Sequence, residues 1–520
     1  MTSETGPHDI RPRRRSGGRE GHERSRLPPQ RPWAQPRLRL KPTELLSADE
    51  LESIHVASLR VLSELGMDFL DADAREALRG AGAEVAPDGQ RVRFDPDMVI
   101  ERIRTAPPTF TLHARNPDHD LQLGGDWMAF GTVGSPPNVS DLDRGRRIGN
   151  RADYQNLLRL GQSLNTVHFL AGYPVEPVDI HHGVRHLHAT FDALTLMDKA
   201  IHCYSLGRQR NVDVLEMVRI ARGIEDATLD TEPSVFTVVN SSSPLRLDAP
   251  MLQGIMAFAE RNQVVCITPF TLAGAMAPVT LAGALAEQNA EALAAMVLTQ
   301  VVRPGSPVIY GGFTSNVDMQ SGAPAFGTPE YMRTAMIGGQ LARRYGVPYR
   351  SSNVNAANAL DAQAAYESVF SLWGAVMGGV NLLMHGAGWM EGGLHAGYEK
   401  MILDAELLGM VEAFLEPVVV DEASLAFEAM VDVGPGGHFF GTEHTQSRYR
   451  TAFHKPMLSD WRNFETWEEA GSPEVPSKAN RIWKELLASY EPPPMDEAIR
   501  EELEAFVARR VAEGGVPTDY

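Results

Sequence analysis

The sequence has 520 residues, of which 43% are hydrophobic, so the chain is long enough to bury at least one large core. Its formal net charge of −19 argues against nonspecific binding to nucleic acid and against attachment to an anionic membrane surface. The two cysteines, Cys203 and Cys266, do not make a disulfide framework, so we expect a reducing compartment, the cytoplasm.

The first 41 residues differ in charge from the rest of the chain. They carry 11 Lys and Arg against 4 Asp and Glu, a net of +7, which leaves −26 for the remainder. With almost no apolar residues the segment cannot bury enough surface to order itself, so we predict a disordered basic tail over residues 1–41. The most apolar later window, residues 369–390, contains Asn381, His385 and five glycines, so we expect no membrane span.

The first predicted folded region is an extension of mixed helix and strand over residues 42–127. Ser47 and Glu50 have the spacing of a capping box, and apolar residues follow at helical spacing up to Gly66. Later in this region, PDGQRVRF and FTLHARNPDHDLQLGG have the pattern of short β ribbons with polar turns.

Eight short β-rich runs follow, separated by longer amphipathic segments. The runs are WMAFGTV (127–133), TVHFLAGYP (166–174), AIHCYSL (200–206), SVFTVVN (234–240), QVVCITPF (263–270), SPVIYGGF (306–313), PYRSSNV (348–354) and GGVNLLMHG (378–386). This alternation predicts an α/β fold, a (β/α)8 TIM barrel over residues 128–395, followed by a helical region over residues 396–520. A doubly wound open sheet is the alternative, but the sequence has no glycine-rich phosphate loop.

A barrel places its functional site at the carboxyl ends of the strands. The residues predicted there are mainly aromatic or neutral and polar, with a few carboxylates, and Arg350 is the one Lys or Arg among them. Such a mouth suits a positively charged ligand, because the faces of aromatic rings attract quaternary ammonium groups.

Four histidines in VDIHHGVRHLHATF raise the alternative of a metal site: His181, His182, His186 and His188. His182 and His186 lie one helical turn apart, which can place two imidazoles on one helix face. No H-E-x-x-H pattern completes the ligand set, so polar packing is favoured and we predict no metal. A metal-dependent barrel hydrolase remains an alternative function.

Several long stretches resemble the trimethylamine methyltransferase family. They are SPPNVSDLDRGRRIGNRADYQNLLRL (135–160), LAGAMAPVTLAGALAEQNAEALAAMVLTQVVRPGSPVIYGG (272–312), DAQAAYES (361–368), GYEKMILDAEL (397–407) and GPGGHFFGTEHT (434–445). The resemblance runs from about residue 45 to residue 510. It implies a barrel with helical additions and a homo-oligomer. It also implies methyl transfer from a methylated amine to the cobalt(I) of a corrinoid carried by a separate partner protein.

The chain departs from the archaeal trimethylamine enzymes of that family in one respect. Those members carry pyrrolysine in the barrel, by rough position in or near residues 351–363, whereas this sequence has only the twenty standard residues. Members without pyrrolysine resemble glycine betaine methyltransferases, so the resemblance implies a quaternary amine such as a betaine. A quaternary-amine sensor without turnover is the remaining alternative.

Strand-end position selects the candidate site residues. The expected ring cage is Tyr173, Phe270, Tyr310, Phe313 and Trp389, and the expected polar contacts are Asn353, Asn355, His385 and Glu391. His438 and His444 lie in the glycine-rich stretch 434–445, which we expect either to border the barrel mouth or to brace a subunit interface.

Overall fold

The computed structural model describes residues 27–516 except Pro29 and Asp88, so most of the predicted basic tail lies outside the described residues. The described part of that tail packs against the folded chain, contrary to the predicted disorder. The ring of Trp33 lies 4.8 Å from the ring of His119, and the Arg37 guanidinium lies 4.7 Å from the centre of the Trp127 ring. The segment is ordered because it covers surface of the fold and needs no core of its own.

The N-terminal extension has the mixed composition that the sequence predicts. Its helices are α1 (Ala48–Arg60), α2 (Ala72–Gly80) and α3 (Pro96–Ile103), and its strands are β1 (Met67–Phe69), β2 (Glu84–Val85), β3 (Arg91–Arg93), β4 (Thr109–Leu112) and β5 (Leu121–Gly124). The Ser47–Glu50 capping box begins α1, and β4 pairs antiparallel with β5.

From residue 128 onward, strands and helices alternate. The strands are β6 (Ala129–Thr132), β7 (Asn138–Asp141), β8 (Gly145–Ile148), β9 (Ile201–Tyr204), β10 (Val235–Val239), β11 (Arg246–Leu247), β12 (Val264–Ile267), β13 (Leu272–Ala273), β14 (Val308–Gly311), β15 (Ser315–Val317), β16 (Pro324–Ala325), β17 (Tyr349–Ser352), β18 (Leu382–Ala387), β19 (Trp389–Met390) and β20 (His395–Gly397). The helices are α4 (Arg151–Ser163), α5 (His182–Leu196), α6 (Arg208–Arg222), α7 (Asp226–Leu229), α8 (Ala249–Glu260), α9 (Leu281–Val302), α10 (Pro329–Tyr345), α11 (Ala362–Gly378), α12 (Tyr398–Leu415), α13 (Glu422–Leu425), α14 (Phe427–Val433), α15 (Glu443–Arg448), α16 (Phe464–Glu469), α17 (Val475–Ala488) and α18 (Glu497–Ala512).

Seven of these strands form one sheet in the order β6-β18-β17-β14-β12-β10-β9, and every neighbouring pair is parallel. The predicted second strand, residues 166–174, is not a regular strand. Its residue Phe169 forms isolated parallel bridges with Gly131 of β6 and with Ala200 just before β9. Gly131 leaves room for that contact, because a Cβ atom there would lie 2.4 Å from the Phe169 ring. The chain at Phe169 therefore touches both edges of the sheet.

The strands bury side chains on both faces, as parallel strands between two layers do. One apolar cluster fills the space between the sheet and the helices. A second, smaller cluster gathers Phe169, Phe236, Cys266 and Ile309 on the other face, together with leucines of the β4–β5 hairpin. Because strand side chains alternate in direction, Ile309 and its neighbour Tyr310 belong to different clusters.

The helix α12 belongs with the sheet, although the predicted boundary at residue 395 placed it in the C-terminal region. The carboxylate of Asp404 on α12 accepts a hydrogen bond of 2.8 Å from the backbone N–H of Gly388, directly after β18. Residues 416–474, which we call the arm, follow α12 and contain the short helices α13–α16. Ala429 and Leu458 are the buried hydrophobic residues of the arm.

Candidate functional site

A cavity of about 220 Å³ lies at the carboxyl ends of the parallel strands. Its lining comes from the ends of nearly every strand in the sheet: Gly134, Ser135, Ala171, His202, Tyr204, Ser205, Val238, Asn240, Met251, Phe270, Phe313, Arg350, Met384, His385, Trp389, Gly392 and Gly393. Ser135 and Asn240 are exposed, whereas Arg350 is only 2% exposed. The cavity therefore runs from a solvent-facing rim to a buried end.

Aromatic rings form one wall of this cavity. The ring centres of Phe270 and Phe313 are 5.1 Å apart, and those of His385 and Trp389 are 4.2 Å apart. Phe313 lies 6.1 Å from both Trp389 and His385, so it joins the two pairs into one cluster. Four of the residues expected from strand-end position thus come together around one cavity.

Arg350 occupies the buried end. It lies on β17, and its guanidinium carbon is 5.3 Å from the centre of the Phe313 ring. Its one hydrogen bond among the described residues is a long one, 3.4 Å from Nη1 to the carbonyl oxygen of Gly312, and its Nε is buried without a partner. A Cβ atom at Gly311 would lie 3.2 Å from Cδ of Arg350, so the glycine leaves room for the arginine stem.

Two histidines near Arg350 are neutral. Burial and the positive charge of Arg350 lower the pKa of His202 to about 3, and the same two causes hold the pKa of His385 well below its usual value. His202 accepts a hydrogen bond at Nε2 from the backbone N–H of Val238, which places its proton on Nδ1. That Nδ1 is buried and has no partner among the described residues.

His385 has a backbone conformation that residues other than glycine rarely adopt, with φ at +56°. Its Nδ1 lies 3.0 Å from Oγ of Ser352 on the neighbouring strand. Residues held in this region at a cavity wall are often functional, because the surrounding packing must compensate for the strain.

Tyr204 lies between this cavity and a second one of about 170 Å³, whose lining includes Tyr173, His182 and His186. Its hydroxyl accepts a hydrogen bond from the backbone N–H of Tyr173 and lies 2.8 Å from Oγ of Ser135. The rings of Tyr173 and Tyr204 are 4.7 Å apart. Tyr173 therefore supports the wall of the site from behind and does not line the first cavity.

Tyr310 is not in the cavity, contrary to the expectation. It points toward the helices, where its hydroxyl donates a 3.0 Å hydrogen bond to Asn289 on α9. The cause is the strand alternation, because Ile309 takes the inward position on β14.

The two asparagines and Glu391 also lie outside the cavity lining. The amides of Asn353 and Asn355 donate to the carbonyl oxygens of Gly386 and Trp389, so they fix the loops beside the site. Glu391 is paired with Arg146, at 2.9 Å from Nε to the carboxylate.

The histidines of the arm and of α5 have other surroundings. His438 is exposed, and neither His438 nor His444 lines any of the cavities described for this chain. On α5, His186 is bound to Asp213 at 2.9 Å, and His181 accepts the backbone N–H of Gly183 at the helix start. Within the described residues, no group of three His, Cys, Asp or Glu side chains comes close enough to hold a metal ion.

Among the polar side chains of the lining, sequence reasoning missed His202 and undervalued Arg350. His202 was not identified, although it alternates with Tyr204 in the run IHCY and so shares its direction. Arg350 was noted only as an exception in a mouth expected to be poor in cations. Its position two residues before Ser352, on the inward side of β17, was the available signal.

The profile of the trimethylamine methyltransferase family matches residues 11–515 of this chain. A glycine betaine methyltransferase from Desulfitobacterium hafniense strain Y51 is 37% identical over 472 residues, which are 91% of this chain and 98% of that protein. A trimethylamine methyltransferase of Desulfitobacterium hafniense strain DCB-2 is 29% identical over 90% of this chain and 94% of its own length. These matches confirm the resemblance found in the sequence motifs.

Among solved structures, the monomethylamine methyltransferase of Methanosarcina barkeri superposes with a TM-score of 0.50. The sequence identity is 12%, and the superposition covers 90% of this chain and 88% of that one, so the likeness concerns the fold alone. No helix in the described part of the chain is long and apolar enough to cross a membrane. By its sequence over nearly its whole length, the chain is a methyltransferase that belongs to the trimethylamine methyltransferase family.

Proposed function

We propose that this chain transfers a methyl group from a quaternary methylated amine, such as a betaine, to the cobalt(I) of a corrinoid carried by a partner protein. The observation that carries the proposal is the ring-walled cavity at the carboxyl ends of the strands. Rings of Phe270, Phe313 and Trp389 offer π faces to an ammonium group, an attraction of about 0.5–2 kcal/mol per ring.

A quaternary amine leaves as a neutral amine after losing its methyl group, so the reaction needs no general acid. The cavity fits such a substrate because it offers rings and neutral histidines and needs no proton donor. The N–CH3 bond breaks with both electrons left on nitrogen, and the amine departs neutral. Cobalt(I) supplies the electron pair of the new Co–CH3 bond. The protein's part is to bind the cation, exclude water and align the methyl group with the incoming cobalt. The neutral states of His202 and His385 agree with this, since neither supplies an acid near pH 7.

The corrinoid protein docks at the cavity rim in this proposal, because the methyl group must reach the cobalt directly. The rim residues Ser135 and Asn240 are solvent-exposed, whereas the opposite end of the cavity is closed by buried side chains. The approach of a flat corrinoid from the rim is therefore the direction that the lining leaves open.

The fold proposal that goes with this function is a closed (β/α)8 barrel. The bridges of Phe169 to Gly131 and Ala200 support closure, because they join the two edge strands of the seven-stranded sheet through one short segment. Backbone hydrogen bonds from His168 to Phe130 and from Leu170 to Ala200 support it further. The two cysteines are free and buried, which favours the cytoplasm as the compartment.

We also propose that the chain forms a homo-oligomer through the arm. Large hydrophobic side chains are exposed all along it: Val418, Val419, Val420, Leu425, Phe427, Met430, Val431, Phe439, Phe440, Tyr449, Phe453, Trp461 and Phe464. An apolar surface of this extent needs permanent cover, which suits a second copy of the chain better than a partner that leaves after each turnover.

The two alternative functions have less support. A hydrolase would use the α5 histidines, but His186 is bound to Asp213 and His181 caps a helix. A sensor would share the cavity, so only turnover separates it from the enzyme.

The deciding experiment mixes the purified protein with reduced cob(I)alamin and a panel of quaternary amines. We expect the absorbance of cob(I)alamin to be replaced by that of methylcob(III)alamin with at least one amine, together with stoichiometric demethylated product. Binding of an amine without methylcobalamin, even after adding a corrinoid protein from the same cell, would favour the sensor.

A further inference from the structure

The cation at the buried end of the cavity has no counter-ion among the described residues. Arg350 is 2% exposed, and none of its described contacts is a carboxylate. Burial lowers the pKa of its guanidinium, and the groups that act against this are Cys266, Tyr331 and Tyr349, all neutral at pH 7. By contrast, the buried Lys400 on α12 has Asp404 beside it on the same helix.

An unpaired charge inside a protein is costly, and buried charges are therefore normally paired. The five N–H donors of a guanidinium lie in one plane in a fixed, fork-like arrangement, and a pair of them can bind the two oxygens of a carboxylate. Arg350 uses one of these donors in a long hydrogen bond of 3.4 Å, and its Nε has no partner among the described residues. The side chain is thus prepared for an anion that the protein itself does not provide.

A second residue of the same lining, His202, carries another unpaired donor. The proton of His202 is on Nδ1, because Nε2 accepts the N–H of Val238, and this Nδ1 is buried without a described partner. The charge of Arg350 reaches His202 and His385 strongly enough to lower both their pKa values. The two residues that carry these unpaired donors therefore both line a cavity whose described lining contains no Asp or Glu.

We propose that Arg350, assisted by His202, binds the carboxylate of a zwitterionic methylated amine and thereby makes the site selective for betaines. The inference rests on the proposed function and names its substrate class. A cation without a carboxylate, such as choline or trimethylammonium, would leave Arg350 unpaired and would bring a second positive charge near it. A betaine brings the missing negative charge together with the ammonium group.

The depth of the cavity then sets the orientation of the substrate. The carboxylate lies at the buried end beside Arg350, and the ammonium group lies toward Phe270 and Trp389. Its methyl groups face the exposed rim at Ser135, where the cobalt must arrive. One anchor thus explains both selectivity and alignment.

The test compares two ligands of nearly equal size and shape, glycine betaine and glycine betaine amide, which differ by the carboxylate charge. Binding to the full-length protein is measured by calorimetry without any corrinoid, in a low-chloride buffer. We expect the wild type to bind the betaine on the order of 100-fold more tightly than the amide. Equal affinities, within about threefold, would overturn the inference without any variant.

Variants then identify the residue responsible. Arg350→Met should lose on the order of 100-fold in betaine affinity while its affinity for the amide stays within about threefold. Arg350→Lys keeps the charge but lacks the fork, so its loss should be intermediate. Arg343→Met is the matched control, because this arginine lies on α10 and donates to the carbonyl oxygen of Gly378, away from the cavity.

An equal loss of both ligands in Arg350→Met would indicate a structural role and would overturn the inference. The outcome also separates from that of the proposed function. Methyl transfer with no preference for the carboxylate contradicts this inference alone, whereas a clear preference with no methyl transfer contradicts the enzyme alone.

Discussion

The sheet region and the arm differ in the burial of their apolar side chains, which are mostly buried in the first and mostly exposed in the second. In the sheet region, Phe169 and Phe236 are fully buried, and even the ionic pair Lys400–Asp404 is completely enclosed. In the arm, Phe440 and Phe453 are 79% and 81% exposed. The first region carries its own core and the candidate site, whereas the second leaves large apolar side chains exposed, the surface that we propose is covered by another copy of the chain. If the arm is covered by another copy as proposed, one sequence contains both a region with its own core and a segment whose apolar side chains are buried only in the assembly.

The largest expected effect comes from placing charges on the arm. In Phe440→Asp with Phe453→Asp, two carboxylates enter a surface that we propose is covered by another copy, at a cost of several kcal/mol each. We expect the particle to fall to the monomer mass of 57.0 kDa, measured by light scattering after gel filtration. Val56→Asp, at another exposed apolar position on α1, is the control. An unchanged mass in the double variant would show that the arm is not the interface.

A smaller effect separates glycines of the two regions. In Gly131→Ala, the new methyl group meets the Phe169 ring at 2.4 Å, so we expect the free energy of unfolding to fall by about 1–3 kcal/mol. In Gly441→Ala on the arm, nothing lies within 4 Å of the new methyl group, and the change should stay within about 0.5 kcal/mol. Chemical denaturation of both variants checks this. Equal losses would mean that the arm is as tightly packed as the sheet.

The third prediction concerns acid and the buried histidine of the site. The pKa of His202 is about 3 in the folded protein, against 6.5 for an ordinary histidine. Below pH 6.5 the unfolded chain therefore binds a proton that the folded chain does not, and stability falls as the pH falls. The loss is about 1.4 kcal/mol per pH unit for this histidine. His202→Gln should reduce the pH slope of the unfolding free energy by that amount between pH 6 and pH 4. An unchanged slope would show that groups other than His202 cause the loss of stability between pH 6 and pH 4.

The smallest effect is expected at Glu391, which strand-end position selected as a substrate contact. Its carboxylate pairs with Arg146, whose side chain is 48% exposed. Glu391→Gln should lower the unfolding free energy by less than about 1 kcal/mol. It should leave betaine affinity within about twofold, measured by the same calorimetry. A tenfold loss of betaine affinity would show that Glu391 does contact the substrate.

The strand pattern was readable from the sequence because buried parallel strands are short, apolar and separated by long helices. Seven of the eight runs are strands; six of these strands lie inside the predicted bounds, and β18 ends at Ala387, one residue beyond its predicted run. The run at residues 166–174 has the same composition, but only Phe169 makes bridges to both sides. Composition cannot show how many residues of a run find partners, because that depends on the two neighbouring strands.

The site was less predictable than the fold. Strand-end position identified Phe270, Phe313, His385 and Trp389 as a group, and the structure brings them together around one cavity. It failed for Tyr310 because the direction of alternation within a strand was not considered. It also failed for Asn353, because an amide at a strand end can donate a hydrogen bond to a loop carbonyl as readily as to a ligand, and Asn353 donates to Gly386. The order of the tail near Trp33 could not be predicted either, because the Trp33 ring packs against His119 and His168, which are distant in the sequence.

The crowding around Gly311 determines which of the two neighbouring positions carries information about the substrate in related sequences. A Cβ atom at position 311 would lie 2.5 Å from Oγ1 of Thr268, 2.7 Å from the carbonyl oxygen of Ile267 and 3.2 Å from Cδ of Arg350. The two shorter distances do not involve the arginine, so glycine is needed at position 311 whether or not an arginine follows on β17. Glycine at position 311 therefore does not reveal the substrate of a relative. Under the inference above, arginine at position 350 is the residue that marks a relative able to use a zwitterion.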